Sequence, residues 1–346
     1  MALTMKALLR GLKWLGLGLV GLAVAALLAG SGYEAYARRA ARRDHPPRGV
    51  LVDVGGRRLH LDCRGHGRPV VVLEAGLDTA GSLAWSAVHD RIAATTRTCA
   101  YDRAGILWSD PRTGPTDADA VVADLHAALG AAGEPAPYVF AAHSLGGPLV
   151  MDYARHYPDQ VAGVVFVDAS HPDQLARFAA AGVPVSMPLG LFRTIVALRW
   201  TGLGRLPFLA DTPDRMPADA AATARAFGLD SGPAALAEME ALPTILSQAG
   251  RLRTLGDRPL HVLTARKPPP DRDLRLAGLT RAQAERLRSI WKDLQDDEAR
   301  WSTDARHDLV DDASHYVQYD RPDLVIGAVE DVVTRVRAKA AARPAT

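Results

Sequence analysis

An α/β architecture is the fold class this 346-residue chain predicts: a mostly parallel eight-stranded sheet with helices on both faces, plus a helical cap, preceded by a transmembrane helix. Three observations carry that prediction. Short apolar runs alternate with longer amphipathic stretches through most of the chain, as strands connected by crossover helices do. The segment 171–257 breaks the alternation and offers helical patterns without a good strand. Ahead of both lies an uncharged apolar run, Leu15 to Gly32.

The N-terminal run comes first. Residues 1–13 form a basic N-terminus with Lys6, Arg10 and Lys13, and residues 14–33 read as a transmembrane signal anchor or a signal peptide. Eighteen residues at about 1.5 Å rise span roughly 27 Å, close to a bilayer core. Trp14 and Tyr33 stand where interfacial aromatics belong. Ala29-Gly30-Ser31 would suit a signal peptidase, so cleavage and anchoring both stay open. Residues 34–49, with "RRDHPPRG" at their end, read as a linker. The eight Lys/Arg of residues 1–48 face only Glu34 and Asp44, whereas the rest of the chain holds 33 basic and 37 acidic residues. A mildly acidic body gives no electrostatic case for nucleic-acid binding. The flanking charges alone weakly keep the body cytoplasmic.

The body, residues 50–170 and 258–338, follows in order. "VLVDV" and "RLHLDC" form a hairpin around Gly55-Gly56. "PVVVLEAG" (Pro69–Gly76) is apolar throughout, as a strand buried on both faces is. "RTCAYDRAG" (Arg97–Gly105) is the fourth strand with its loop, and a helix covers about Ala118–Ala132. Then come "YVFAAHS", a helix after Ser144, "VAGVVFVDAS" (Val161–Ser170), the cap, "PLHVLTA" (Pro259–Ala265) and a last strand over Arg306–Val310. Between the last two strands, Thr280 and Gln283 form a capping-box pattern.

The stretch "FAAHSLGGPLVM" places one serine where a strand turns at once into a helix. The residue at such a corner is held in a strained conformation and projects above the sheet, and its neighbours must be small. Ala142 and Gly146 meet that need. Pro148 falls in the first helical turn, where its missing N–H costs little. The helix N-terminus directs free N–H groups toward Ser144.

Ala142-His143-Ser144-Leu145-Gly146 resembles the nucleophile elbow of the α/β-hydrolase fold, with alanine in place of the first glycine. "VVLEAGL" is similar to that fold's strand ending in His-Gly, with Ala75 in the histidine position. "YDRAG…WSD" resembles its next strand and loop, with Leu107 where many relatives have glycine. "VVFVDASHPD" and "ASHYVQYDRPDLV" complete the order over residues 50–335. The resemblance implies a nucleophile Ser144, a general base His315 in the loop after the last strand, and an acid. For the acid it offers Asp168, at the end of the strand after the nucleophile helix, or Asp271, after "PLHVLTA". Asp168 could instead cap the following turn. Backbone N–H groups of Leu77 and Leu145 are the implied oxyanion hole. His143 is expected to point away from the reaction space, and His171 to make a loop or cap contact. Glu74 is expected to pair with Arg103, and Asp102 and Arg103 to tie their loop. Trp85 and Trp108 either wall the site or pack in the core.

The fold's strand order would also make neighbours of the strands bearing Cys63 and Cys99, the chain's two cysteines. A disulfide between them implies an oxidising compartment and an extracytoplasmic body, against the flanking charges. The chemistry implied is hydrolysis of a carboxylic ester, thioester or lactone through an acyl-enzyme, with a small-molecule acyl substrate and no metal or organic cofactor. An aspartate nucleophile, as in epoxide hydrolases and haloalkane dehalogenases, is replaced here by Ser144. An acyltransferase with the same triad and a non-catalytic binding protein of this fold are the alternatives. Nothing in the sequence signals an oligomeric state.

Overall fold

The structure is a computed structural model describing residues 2–183, 189–205 and 215–342. Residues 184–188 and 206–214 of the expected cap lie outside the described residues.

Eight strands form one sheet: β1 (Val50–Asp53), β2 (Arg58–Arg64), β3 (Val70–Glu74), β4 (Thr98–Tyr101), β5 (Tyr138–His143), β6 (Val161–Val167), β7 (Leu260–Ala265) and β8 (Ala305–Val310). Their spatial order is β1-β2-β4-β3-β5-β6-β7-β8. The first hairpin is antiparallel, β2 runs antiparallel to β4, and every later pairing is parallel.

Eleven helices among the described residues complete the chain. They are α1 (Ala2–Asp44), α2 (His89–Ala93), α3 (Ala118–Ala131), α4 (Gly146–His156), α5 (Gln174–Ala180), α6 (Leu189–Ala197), α7 (Ala218–Ala249), α8 (Asp271–Leu276), α9 (Arg281–Glu298), α10 (Val317–Asp320) and α11 (Pro322–Ala342). The period-2 alternation of the strands divides the core. Val70, Val72, Phe140, Val164, Phe166 and Val262 face α3 and α4 in one cluster. Val71, Leu73, Val139, Ala141, Val165 and Val167 face α2 and α11 in the other. Both faces of the central strands are therefore dry, which is why their sequences read as unbroken apolar runs.

Two insertions leave the C-terminal edge of the sheet. The first carries α5, α6 and α7 between β6 and β7, and the second carries α8 and α9 between β7 and β8. α9 starts with the capping box anticipated from Thr280 and Gln283: each side chain bonds the other's backbone N–H.

The N-terminal helix departs from expectation. It is long and apolar enough to cross a membrane, but it does not end at residue 33. It continues to Asp44, through most of the segment read as a linker. No Gly or Pro interrupts residues 33–45, and the first helix breaker is Pro46. An i,i+4 pair, Glu34–Arg38 at 2.8 Å, supports this turn. Glu34 and Ala41 are buried against the cap.

Cys63 and Cys99 are register partners on β2 and β4 and form a disulfide closing a separation of 36 residues. Loop-closure entropy for a ring of this size is worth about 4 kcal/mol. Cys63→Ala with Cys99→Ala is therefore expected to lower unfolding free energy by about 2–4 kcal/mol. Denaturant titration of the oxidised, reduced and double-variant chains checks this, with the latter two expected to coincide.

Candidate active site

The corner after β5 is built as its composition demands. Ser144 has φ +51°, in the left-handed region. Its carbonyl accepts from Gly147 (3.0 Å) and Ser170 (2.8 Å), which ties the corner to the start of α4 and to the loop after β6. A Cβ on Gly146 would stand 2.6 Å from the Glu74 carbonyl oxygen, and one on Gly76 would stand 3.1 Å from Ser144 Cβ. The end of β3 thus passes directly over the serine. Leu77, the next residue, joins Leu145 in one apolar cluster, so the two implied oxyanion donors flank the same corner. Among the described residues neither amide donates to another protein group.

Asp168 ends β6 with φ +46°, a second strained residue beside the first. Its Oδ2 lies 2.6 Å from His315 Nδ1. Its Oδ1 accepts from the Ala265 amide (2.9 Å) and from Trp291 Nε1 (2.8 Å). A carboxylate can only accept from the ring, so Nδ1 carries the proton and Nε2 presents its lone pair. Asp271 is elsewhere. It is exposed at the start of α8 and pairs with Arg281 at 2.7 Å.

His143 is buried against the backbone of the His315 loop. Its ring lies 4.6 Å from that of His315, and its Nε2–H donates to the His315 carbonyl at 2.8 Å. Burial, and then the neighbouring His315, hold its pKa well below the ordinary imidazole value, so it stays neutral. The residue before the serine therefore pins the loop that carries the imidazole. His171 bonds Asp297 at 3.1 Å and makes the loop contact expected of it. Trp85 is fully buried in the core. Trp108 packs edge-on against His60 and Phe227 and donates to the His45 carbonyl. Neither walls the serine. Leu107, where relatives have glycine, pays with φ +46°, and Ser231 of α7 accepts its amide hydrogen.

Arg103 ties down the chain that follows β3. It pairs with Glu74 (2.8 Å) and with Glu238 of α7 (2.7 Å), and it donates to the carbonyl oxygens of Ala75 and Gly76. Asp102, next to it, holds His60 and the Ser82 amide. Three features here carried no readable sequence signal. Trp291 is a partner of Asp168, Glu238 is a partner of Arg103, and Glu298 is a buried carboxyl pushed well up by burial and by Asp168. All arrive from the insertions, whose packing no local pattern encodes.

Residues 68–197 match the family model described as the alpha/beta hydrolase fold. An uncharacterized protein of Bacillus subtilis, YbdG, is 26% identical over 137 residues, covering 39% of this chain and 42% of that relative. A protein of Gibberella zeae described as an AB hydrolase superfamily protein is 24% identical over 316 residues, covering 81% of this chain and 92% of its own. The chain spans less than half the length of three of its curated relatives. Among solved structures, a thermophilic esterase from Thermogutta terrifontis superposes with a TM-score of 0.53 at 20% identity, over 83% of this chain and 98% of the esterase. The sheet order is that of the α/β-hydrolase fold, and the match over residues 68–197 agrees with it.

Two outcomes are expected from the charges around the oxyanion loop. Arg103→Met leaves Glu74 and Glu238 buried without their partner, so thermal and denaturant unfolding should show a loss of about 3–5 kcal/mol. Asp78, beside Leu77, is pushed up to about 6, chiefly by desolvation. Its raised folded pKa means that native stability falls as pH rises from about 4 toward 6 and the group must ionise. Asp78→Asn keeps an acceptor for the Ala80 and Gly81 amides and removes that cost. The variant's melting temperature should match wild type near pH 4 and exceed it at pH 7.

Proposed function

We propose that this chain is a membrane-anchored serine hydrolase that cleaves a carboxylic ester, thioester or lactone. The observation carrying the proposal is the 2.6 Å hydrogen bond from His315 Nδ1 to Asp168, one strand over from the strained Ser144.

In the first half-reaction His315 Nε2 takes the Ser144 proton as Oγ bonds the acyl carbon. The Leu77 and Leu145 amides receive the negative charge on the carbonyl oxygen. Collapse breaks the bond to the leaving oxygen or sulfur, which takes the proton from His315. In the second, a water gives its proton to the same nitrogen and its oxygen bonds the acyl carbon. Ser144 Oγ leaves and recovers the proton, and the acid is released. Asp168 orients the ring and stabilises the imidazolium. The Trp291 and Ala265 donors hold the carboxylate, and His143 holds the loop. No step calls for a metal or organic cofactor.

Two further observations support the setting. The apolar stretch of α1 supports an anchor. The Cys63–Cys99 disulfide supports an oxidising, extracytoplasmic compartment for the body.

A fluorophosphonate probe tests the chemistry. Wild type should be labelled and Ser144→Ala should not. Asp168→Asn should lower turnover of p-nitrophenyl butyrate by about 10³–10⁴-fold, as loss of a triad acid does elsewhere. Asp271→Asn should stay within about twofold, as an exposed surface substitution does. Labelling that survives Ser144→Ala would sink the proposal.

A further inference from the structure

A cavity of about 830 Å³ opens beside the oxyanion loop. Leu77 and Tyr316 line one end, next to the proposed oxyanion donor and base. Tyr33, from α1, lines the other. Between them the walls are mainly apolar, with Phe192 and Ile195 from α6 and Leu229 and Met239 from α7. Helix α1 thus shares one cavity with Leu77, the proposed oxyanion donor, and with Tyr316, the neighbour of the proposed base.

Where α1 meets the cap fixes the level of that mouth. A Cβ on Gly30 would stand 2.2 Å from the Thr201 carbonyl oxygen, so helix and cap touch backbone to backbone. Buried Glu34 accepts from Arg205 at 2.7 and 3.0 Å, and Arg38 pairs with Asp230 at 2.9 Å. These contacts begin at the last residues of the uncharged run, Leu15–Gly32, at the edge of the hydrocarbon core. On the same cap turn Leu198, Trp200 and Leu203 are 43%, 50% and 55% exposed. Apolar side chains led by a tryptophan, at that height beside a spanning helix, match the composition of a membrane interface.

We infer that the substrate is the long-chain acyl ester of a membrane lipid, whose chain passes from the bilayer by Tyr33 into this cavity. The inference rests on the serine-hydrolase and membrane-anchor readings above. An acyl chain moving from bilayer to apolar cavity never meets water, so α1 provides a path as well as a tether. Ser144 takes the acyl group, the ester C–O bond breaks, and the alcohol leaves with the proton from His315. Water then releases a fatty acid. A second, open cavity of about 360 Å³ borders the same imidazole and is lined by His315, Trp291 and Lys267.

The test uses the full chain reconstituted in phosphatidylcholine vesicles that carry a fluorogenic palmitoyl ester, with p-nitrophenyl butyrate as the soluble comparison. Gly228 of α7 lines the cavity, and a Cβ there meets no atom within 4 Å. Gly228→Phe should fill the chain's path and lower the palmitoyl-to-butyrate rate ratio about tenfold or more. Trp200→Ser with Leu203→Ser, outside the cavity, should lower the vesicle-to-soluble ratio by about fivefold or more. Turnover of butyrate but not of the vesicle ester, or ratios unchanged in both variants, overturns the lipid inference and leaves the hydrolase standing. Turnover of neither ester, with no fluorophosphonate labelling of Ser144, overturns both.

Discussion

The close passage of β3 over the β5–α4 corner is the constraint on which the site depends. At Ser144 the backbone is forced to φ +51°, a conformation that costs on the order of 1–3 kcal/mol for a residue with a Cβ. The corner closes only because Gly146 meets the Glu74 carbonyl and Gly76 meets Ser144 with no side chain between them. Two hydrogen bonds to the Ser144 carbonyl then hold the strain in place. The same crowding brings Leu77 and Leu145 into one cluster at the corner.

Around that corner the polar ties run outward in a connected series. Arg103 joins the end of β3, the oxyanion loop and α7 of the cap through two carboxylates and two carbonyls. Asp168 joins β6, β7, α9 and the His315 loop through three donors. A buried guanidinium or carboxylate is costly unless fully bonded, and here each is. The two insertions thus do more than roof the sheet, since each supplies one partner of a buried charge at the site: Glu238 for Arg103 and Trp291 for Asp168.

The sheet was legible because its central strands are dry on both faces and their apolar runs are bounded by turns. The serine corner was legible because close packing there restricts composition to Ala, Gly and one hydroxyl. His315 and Asp168 could be named from the resemblance, with Asp271 left open as the acid, but their 2.6 Å contact depends on the pairing of β6 with β7 and of β7 with β8, which sequence does not print. Trp291 and Glu238 had no local signature, since each sits in an amphipathic helix that looks like any other. The bond from His143 to the His315 carbonyl had no signature, because an elbow pattern says where the backbone turns and nothing about what a flanking side chain packs on. The segment read as a linker carries its breakers, Pro46, Pro47 and Gly49, only beyond the end of α1. Arg38, Arg39, Arg42 and Arg43 suit a solvated tether as well as a helix, and only the burial of Glu34 and Ala41 against the cap distinguishes the two.

The helical course of that segment has mechanical weight. A flexible tether of some fifteen residues would let the body sample every orientation to the bilayer. A continuous helix that enters the cap at Gly30 and stays docked through Ala41 permits essentially one. On the anchor reading proposed above, exposed Trp200 and Leu203 and the Tyr33 side of the apolar cavity would lie near the bilayer surface. Glu34 with Arg205 and Arg38 with Asp230 hold that orientation from the aqueous side, as paired charges just beyond an apolar span can. On the readings proposed above, the helix that would hold the protein in the membrane would also set the direction from which an apolar substrate approaches Ser144.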